Sequence, residues 1–583
     1  MHNSVRSLQA PLHRFRSLAA FPLMGVLALG VCFSEASAVE IPPSAQPGRV
    51  EKRIAPPTAP TERLQLTVPP AVESQRLPEA LRKKLEANKF ALKTVTLEGA
   101  TAYSAEDLAF AYNDMVGKTI SLLDARTIAT RITTFYRNKG YILSQAVVPT
   151  QDVTDGTLKL RVIEGYISNV SYEGDIHNDT ERSRLDGFAS NIKALRPAKM
   201  TELERYMLLM NDLPGQTITG LIRPSTTEFG AADLVLTVRR RTLEASYTFD
   251  NRGSKYLGPW QHTFMAGANS IFNAYDHTQV RFMTVNPWKE LFLAEVQHDE
   301  ILDSEGTKLT LTGAHTRTQP GDDLKIYKIV GESDLVSAKI SHPFLRLRQQ
   351  SLVARAQFDV RNTAIDMFSL PLTRDRLRVL RAGATYNFLD TLQGSDSIDV
   401  QISQGLNIFS ATDKGDDRSN PYGDSQFTKV NFDVSRLQPL DDGFSILTSA
   451  TGQYGFQALL SDEQFSFGGA DYARAFDPAE ALGDSGLGGK IEFRYDGIVE
   501  KPYFDSYQLY TSFDLQEAWK RGTPAGSDTA STSLASWSVG SRVKFTEFLF
   551  GSVELSVPLM APDVDQTSYR DDPRIFFSIT ARY

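Results

Sequence analysis

The chain has 583 residues and a formal net charge of −8, long enough for several domains and of the wrong sign for a basic nucleic-acid surface. Hydrophobic residues make up 41%, yet beyond residue 40 no run is long and apolar enough for a membrane helix. A membrane role would therefore require a β-barrel, whose alternating strands escape hydropathy plots.

Residues 1–38 read as a signal peptide. Arg6, Arg14 and Arg16 form a basic region, 18–33 is apolar, and Ala36-Ser37-Ala38 is a small-residue cleavage site. A membrane anchor is the competing reading; the short apolar run and the cleavage motif weigh against it. The single cysteine, Cys32, lies inside this segment, so the chain beyond it offers no disulfide or thiolate chemistry. Residues 39–89 form a linker with Pro-Pro at 42–43, 56–57 and 69–70, expected to be extended and poorly packed. A short amphipathic helix is expected over 78–88, with Leu81 and Leu85 on one face.

Residues 90–165 read as a compact β-α-α-β-β unit. Residues 92–97 alternate as a strand, and Ser104 with Asp107 marks a helix start ahead of Leu108, Ala111 and Tyr112. Asp124 is expected to cap a second helix, with Ala125, Ile128, Ile132 and Phe135 on one face and Lys139-Gly140 closing it. Strands follow at 141–148 and 156–163. The pattern repeats more loosely over 166–241: a strand at 167–172, a helix at 180–193, a Thr201–Glu204 capping box, and strands at 216–222 and 233–238. Two small α+β domains of one design stand in tandem, a format suited to binding an extended peptide at a strand edge. An unrelated α+β pair is the alternative.

From residue 242 to 583 the helical period disappears, and roughly sixteen strands are expected. An even number of antiparallel strands closes a barrel and leaves no edge. The strand at 487–497 sets Ile491, Phe493 and Tyr495 against Lys490, Glu492, Arg494 and Asp496. The strand at 548–559 sets Leu549, Val553, Leu555, Val557 and Leu559 against Ser552, Glu554 and Ser556. An apolar outside over a charged inside fits a membrane barrel with a wet lumen.

Between the eleventh and twelfth strands lies a long glycine-rich loop, 457–486. Loops of this length are uncommon and tend to be functional. At its centre Ala473-Arg474-Ala475-Phe476 sets a fixed positive charge between small and aromatic residues. Asp514 stands on the polar face of the thirteenth strand with Tyr510, Ser512 and Gln516. The reading is that Arg474 folds back into the lumen and pairs with Asp514, because a guanidinium can hold a carboxylate through two parallel bonds. Such a pair pins a mobile loop at modest net energy, since both groups lose water. The competing reading leaves Arg474 as an exposed loop charge.

Other motifs fail on inspection. Gly483-Asp484-Ser485-Gly486 mimics a protease nucleophile site, but none of the eight His has a supporting motif, and a triad needs one. Gly486-Leu487-Gly488-Gly489-Lys490 lacks the spacing of a phosphate loop and the Ser or Thr after its Lys. No His or Cys cluster suggests a metal.

The chain from 90 to 583 resembles the outer-membrane transporters of two-partner secretion, the haemolysin-activator and filamentous-haemagglutinin transporter type of the POTRA-containing barrel-assembly superfamily. The resemblance is carried by Tyr136-Arg137-Asn138-Lys139-Gly140-Tyr141 and Val162-Ile163-Glu164-Gly165, by Phe249-Asp250-Asn251-Arg252-Gly253 with Gly258, and by the Arg474 tetrad. It implies two periplasmic α+β POTRA domains, at 90–165 and 166–241. An all-β transmembrane barrel of about sixteen antiparallel strands over 242–583 would follow, with loop 457–486 inside. It implies a loop latch of Arg474, Asp514 and Phe476, and partner binding in the POTRA region including Tyr136, Gly140, Tyr141, Glu164 and Gly165. No enzymatic activity, cofactor or metal is implied.

The implied location is the outer membrane of a Gram-negative bacterium. The implied partners are a large secreted exoprotein, the lipid bilayer and, during biogenesis, the barrel-assembly machinery, with no nucleic acid. The implied function is export of an unfolded exoprotein recognised through the POTRA domains. The competitors are an insertase of the same superfamily and a passive porin, which has no use for POTRA domains. Three departures stand out. Ala475 replaces a Gly that could adopt positive φ at no cost. Gln516 stands where a Gly is frequent. The proline-rich stretch precedes the one helix candidate, whereas the family often begins with a pore-plugging helix ahead of the linker.

Overall fold

The structure, a computed structural model, describes residues 41–50, 66–67, 78–522, 531–560 and 572–583. The expected signal peptide lies outside the described residues.

Sixteen antiparallel strands, from Leu243–Asp250 to Arg574–Arg582, form a closed barrel. Alternation decides which face is which. In the thirteenth strand, Phe504–Trp519, Leu509, Phe513 and Leu515 are exposed on the outside while Ser512, Asp514 and Gln516 are sealed inside. No helix among the described residues is long and apolar enough to cross a membrane; the barrel itself crosses it.

The sixth to eighth strands, Val330–Arg346, Gln350–Met367 and Leu370–Leu389, run 17, 18 and 20 residues. That outruns the roughly ten residues that a bilayer needs. The last two stay paired to a tight turn in which Phe368 and Ser369 hold φ of 52° and 65°, a turn geometry that matches strand twist. The first and sixteenth strands share five register pairs against eighteen between the seventh and eighth, so the seam closes through a much shorter ladder.

Before the barrel stand two α+β domains. In the first, Thr94–Glu98 runs parallel to Thr157–Ile163, with Gln145–Val147 antiparallel on the other side. The helix Leu122–Asn138 covers this sheet and buries Ile128 and Ile132 against Leu158 and Leu160. The opening strand expected at 92–97 forms as Thr94–Glu98, and a separate short strand, Lys89–Ala91, precedes it and pairs with Thr119–Ser121. Asp124 is not the cap: Ser121 is, accepting the Asp124 N–H while the Asp124 carboxylate accepts the Ser121 N–H.

In the second domain Ala231–Arg240 lies between Tyr166–Gly174, parallel, and Gln216–Pro224, antiparallel. Helices Asp179–Ala194 and Met200–Asn211 pack on this sheet through Leu185, Phe188, Met207 and Met210. The expected Thr201–Glu204 box does not form. The helix starts at Met200 behind Lys199, which has no side-chain capping bond, and Glu204 pairs instead with Arg348 at 2.9 Å.

The second domain is clamped to the periplasmic turns of the barrel. Arg184 donates to the carbonyls of Ile301 and Leu302 at 3.0 and 3.2 Å. Asn191, Arg205 and Tyr206 all donate to Glu305, at 3.0, 3.1 and 3.0 Å. Arg346 forks onto Asp212 at 2.7 and 2.6 Å.

Two described pieces of the proline-rich stretch, 41–50 and 66–67, are ordered against the rest, which corrects the expectation of poor packing for those pieces; 51–65 and 68–77 lie outside the described residues. Leu66–Thr67 adds as a parallel strand to the outer edge of Gln216–Pro224, with Leu66 opposite Gly220 and Thr67 opposite Leu221. Further upstream, a 3₁₀ turn Pro43–Ala45 and a helical turn Pro47–Val50 lie inside the barrel. There Val50 packs with Leu257, Met283, Val285, Leu291 and Leu293. The fixed φ of Pro43 and Pro47 suits the first position of each turn, so Pro43, one of the prolines that argued for an extended chain, starts a helical turn instead. The helix expected over 78–88 forms as Glu79–Ala87, but it buries none of its residues.

Candidate functional site

The loop between the eleventh and twelfth strands turns back into the lumen. Phe465–Phe467 and Ala481–Gly483 pair as a small hairpin, with Arg474 near its tip. Gly468 has φ of 95°, and a Cβ there would sit 2.2 Å from the Asp477 carbonyl, so only Gly fits this bend. At the neck, Asp484 accepts the N–H groups of Leu459 and Arg521 at 2.8 and 2.6 Å. Ser485 Oγ accepts the Gly455 N–H at 3.1 Å. The residues that mimic a protease motif thus fasten the base of the loop.

Arg474 is 3% exposed. Its Nη2 donates to Glu492 at 2.7 Å, and its Nη1 donates to Glu554 at 3.3 Å and to the Ser512 hydroxyl at 3.1 Å. The expected guanidinium fork onto Asp514 is therefore corrected. Asp514 accepts the backbone N–H of Arg474 at 3.2 Å and the Ser536 hydroxyl at 3.0 Å, so it fixes the loop backbone while the two glutamates take the charge. Glu492, on the twelfth strand, also accepts Arg494 and Arg542 at 2.7 and 2.9 Å. Glu554, on the fifteenth, also accepts Arg252 and Tyr510 at 2.8 and 2.6 Å. Phe476 is buried with Phe467, Ala473, Ala475, Ala518 and Leu534.

The departures noted in the sequence have structural outcomes. Positive φ falls on Ala473, at 49°, and not on Ala475, so Ala475 is accommodated without backbone cost. Gln516 Oε1 accepts the Gly468 N–H at 3.3 Å and so replaces the missing Gly with a contact to the loop. Glu492 and Glu554 were already visible as charges on lumen faces of strands near the thirteenth. Their partnership with Arg474 was not, because it depends on where the loop tip lands.

Of the expected partner-binding residues of the first domain, Tyr136 and Glu164 bond to each other. Tyr136 is sealed, and its hydroxyl donates to Glu164 at 2.8 Å. Glu164 also accepts the N–H groups of Thr101 and Ala102, at 2.7 and 2.8 Å, and the Thr101 hydroxyl. Burial raises the Glu164 pKa, but these hydrogen bonds outweigh it and hold the carboxyl below its usual range. Burial first, then the bond to Glu164, pushes the Tyr136 phenol far up. Gly140 and Gly165 join the two domains through their carbonyls, which accept Met200 N–H and Ala198 N–H at 2.9 Å each. Tyr141 stacks edge-on against Tyr103 and Tyr136. Among the described residues no group of metal-ligating side chains is clustered.

Comparison with known proteins agrees with this anatomy. Residues 90–165 match the POTRA domain of ShlB type. Residues 304–543 match the haemolysin secretion/activation protein ShlB/FhaC/HecB. The heme/hemopexin transporter protein HuxB of Haemophilus influenzae Rd is 24% identical over 515 residues, 84% of this chain and 87% of its own. The outer membrane transporter CdiB of Escherichia coli strain 536 is 22% identical over 493 residues, 81% of this chain and 80% of its own. The solved structure of CdiB from Escherichia coli superposes with a TM-score of 0.70 at 19% identity, covering 89% of this chain and 94% of that one. CdiB from Acinetobacter baumannii gives 0.59 at 17%, covering 85% and 91%. At these identities the structural likeness is one of fold.

Proposed function

We propose that the chain, whose matches are two-partner secretion transporters of the outer membrane with POTRA domains in the periplasm, exports an unfolded exoprotein through a lumen that the Arg474 loop closes at rest. Its relatives are transporters and not enzymes. The POTRA pair catches an extended segment of the exoprotein by strand addition. The loop then shifts, the exoprotein threads through as an extended chain, and folding outside the cell drives the passage, since the periplasm holds no nucleotide. Arg474, Asp514 and Phe476 act as the latch of that loop, with Glu492 and Glu554 as its charge partners. Ile575, Phe577, Ile579 and Ala581 of the sixteenth strand, apolar at every second position, fit insertion of the barrel itself by the barrel-assembly machinery.

The observation that carries the reading is the outer edge of Gln216–Pro224. Leu66–Thr67 already pairs along it, so this edge accepts an extended segment in parallel register. A porin interior would be open, whereas this lumen holds both the loop and the turns Pro43–Ala45 and Pro47–Val50.

The test is secretion in a heterologous Gram-negative host, with and without the exoprotein encoded beside this gene. Export only when this chain is present is the expected result. No export, with changed abundance of other barrel proteins, would move the assignment to an insertase.

A further inference from the structure

Two turns at the periplasmic rim of the barrel enclose a cleft. One is Pro502-Tyr503, between the twelfth strand, Ser485–Lys501, and the thirteenth. The other is 545–548, between the fourteenth strand, Ser531–Lys544, and the fifteenth, Leu549–Met560. Both join an even-numbered strand to the next odd-numbered one, as do the turns clamped to the second α+β domain, so they lie at that same end of the barrel. The cleft between them has a volume of about 480 Å³ and is lined by these turns and the strand ends beside them.

A chain of rings fixes the depth of this cleft in the bilayer. Tyr495 shares the outward face of its strand with Phe493, and Tyr507 shares that of its strand with Leu509. Ring centroids follow one another from Phe444 to Tyr495 at 4.9 Å, to Tyr507 at 6.3 Å, to Phe504 at 6.4 Å and to Phe545 at 6.2 Å. Such an aromatic girdle lies at the headgroup level of a membrane. Phe545 belongs to both girdle and cleft, so the cleft opens among the headgroups of the periplasmic leaflet.

The charges of the cleft divide into a closed pair and an open one. Lys544 Nζ lies 2.5 Å from Asp505, and these two satisfy each other. Lys501 and Glu547 are exposed, and neither side chain has a hydrogen-bond or ion-pair partner among the described residues. Thr546 Oγ1 accepts the N–H groups of Phe548 and Leu549 at 3.2 and 3.1 Å, which holds Glu547 at the tip of its turn. Across from it Tyr503 is 83% exposed at φ of 67°, a left-handed backbone that disfavours any residue but Gly. A tyrosine there does not serve the turn; its apolar ring and polar tip suit a membrane interface.

We propose that this cleft binds a zwitterionic phospholipid of the periplasmic leaflet, with the phosphate on Lys501 and a primary ammonium on Glu547. One open cation and one open anion match a headgroup that carries both charges. A phosphoglycerol headgroup would leave Glu547 facing a phosphate with no cation between them. A phosphocholine headgroup has no N–H to donate, so it forfeits the charge-assisted bond that a phosphoethanolamine makes.

The test is native mass spectrometry of the full chain released from detergent. Phosphatidylethanolamine, phosphatidylcholine and phosphatidylglycerol with matched acyl chains are added in equal amounts, and heat-modifiable migration checks folding. The wild type should retain phosphatidylethanolamine about fivefold over phosphatidylcholine, the scale of one exposed ion pair. Glu547→Gln should abolish that preference and leave the other two lipids unchanged. Lys501→Met should lower retention of all three, and if it fails to fold, Lys501→Gln replaces it. Soluble phosphoethanolamine should be held far more weakly, because the acyl chains lie along the girdle. Equal retention of the three lipids by the wild type marks an unselective lipid coat and overturns the site. So does a preference that survives E547Q, unchanged retention in the Lys501 variant, or equal binding of soluble phosphoethanolamine. No exoprotein is needed, so the outcome is independent of the secretion assay.

Discussion

The tip and the neck of the loop are fastened by opposite arrangements of charge. At the tip the loop supplies the cation, Arg474, and the wall supplies Glu492 and Glu554. At the neck the loop supplies the carboxylate, Glu463, and the wall supplies Arg381 and Lys429. What each loss leaves behind differs. Without Arg474, Glu492 keeps Arg494 and Arg542, and Glu554 keeps Arg252. Without Glu463, the buried Lys429 loses its carboxylate and keeps Gln453 Oε1 at 3.1 Å. The tip can let go without stranding a charge in the barrel, whereas the neck cannot.

Replacing Arg474 by Ala tests this most severely. The docked loop should lose about 1.5–3 kcal/mol, the scale of hydrogen bonds to charged groups, residues 457–486 should become cleavable by protease added to intact cells, and export should fall. The barrel should keep its heat-modifiable migration; a protected loop with normal export would break the comparison. Within the tip, E492Q should expose the loop several-fold more than D514N in the same protease assay, because Glu492 meets the guanidinium and Asp514 meets a backbone N–H. The reverse ranking would restore Asp514 as the main charge partner.

Ala473→Gly should favour the docked loop by about 1 kcal/mol, since Ala473 holds φ of 49° and left-handed backbone costs a non-Gly residue about that much. Slower loop cleavage is the readout. Glu164 is the contrast outside the membrane, a carboxylate held by N–H and O–H donors without a cation. Its folded pKa is depressed, so its contribution is fully present above the unfolded value of about 4.3 and is lost as pH falls through the lower folded value. Amide exchange at Ala102 in the full chain should rise below that pH, beyond the intrinsic pH dependence, and E164Q should flatten the change.

The barrel was legible because a period of two is local: Ile491, Phe493 and Tyr495 against Lys490, Glu492 and Arg494 is enough to orient a strand. Asp514 was legible for the same reason, and Arg474 because a lone Arg in a glycine-rich loop is conspicuous. The partnership of Arg474 with Glu492 and Glu554 joins residues of three separate elements, which no local pattern reports. The ordered turns at 43–50 were missed because so short a proline-rich piece shows no period; the barrel interior, not its own propensity, fixes it. Tyr136 and Glu164 were assigned to a partner because they carry the resemblance; in the structure Tyr136 is buried, Glu164 is half-buried, and the two bond to each other within the first POTRA domain.

The clamp between the second α+β domain and the turns at 302–307 and 347–349 sets a delivery distance in the proposed export. Arg184, Arg205 and Arg346 hold the domain rigidly to the barrel, so a segment resting on the edge of Gln216–Pro224 is tethered beside the pore mouth. In the proposed export, the stretch of exoprotein that follows it would meet the lumen as an intramolecular neighbour, at an effective concentration on the order of millimolar. Even a weak capture, of the kind two paired residues suggest, would then suffice to begin threading.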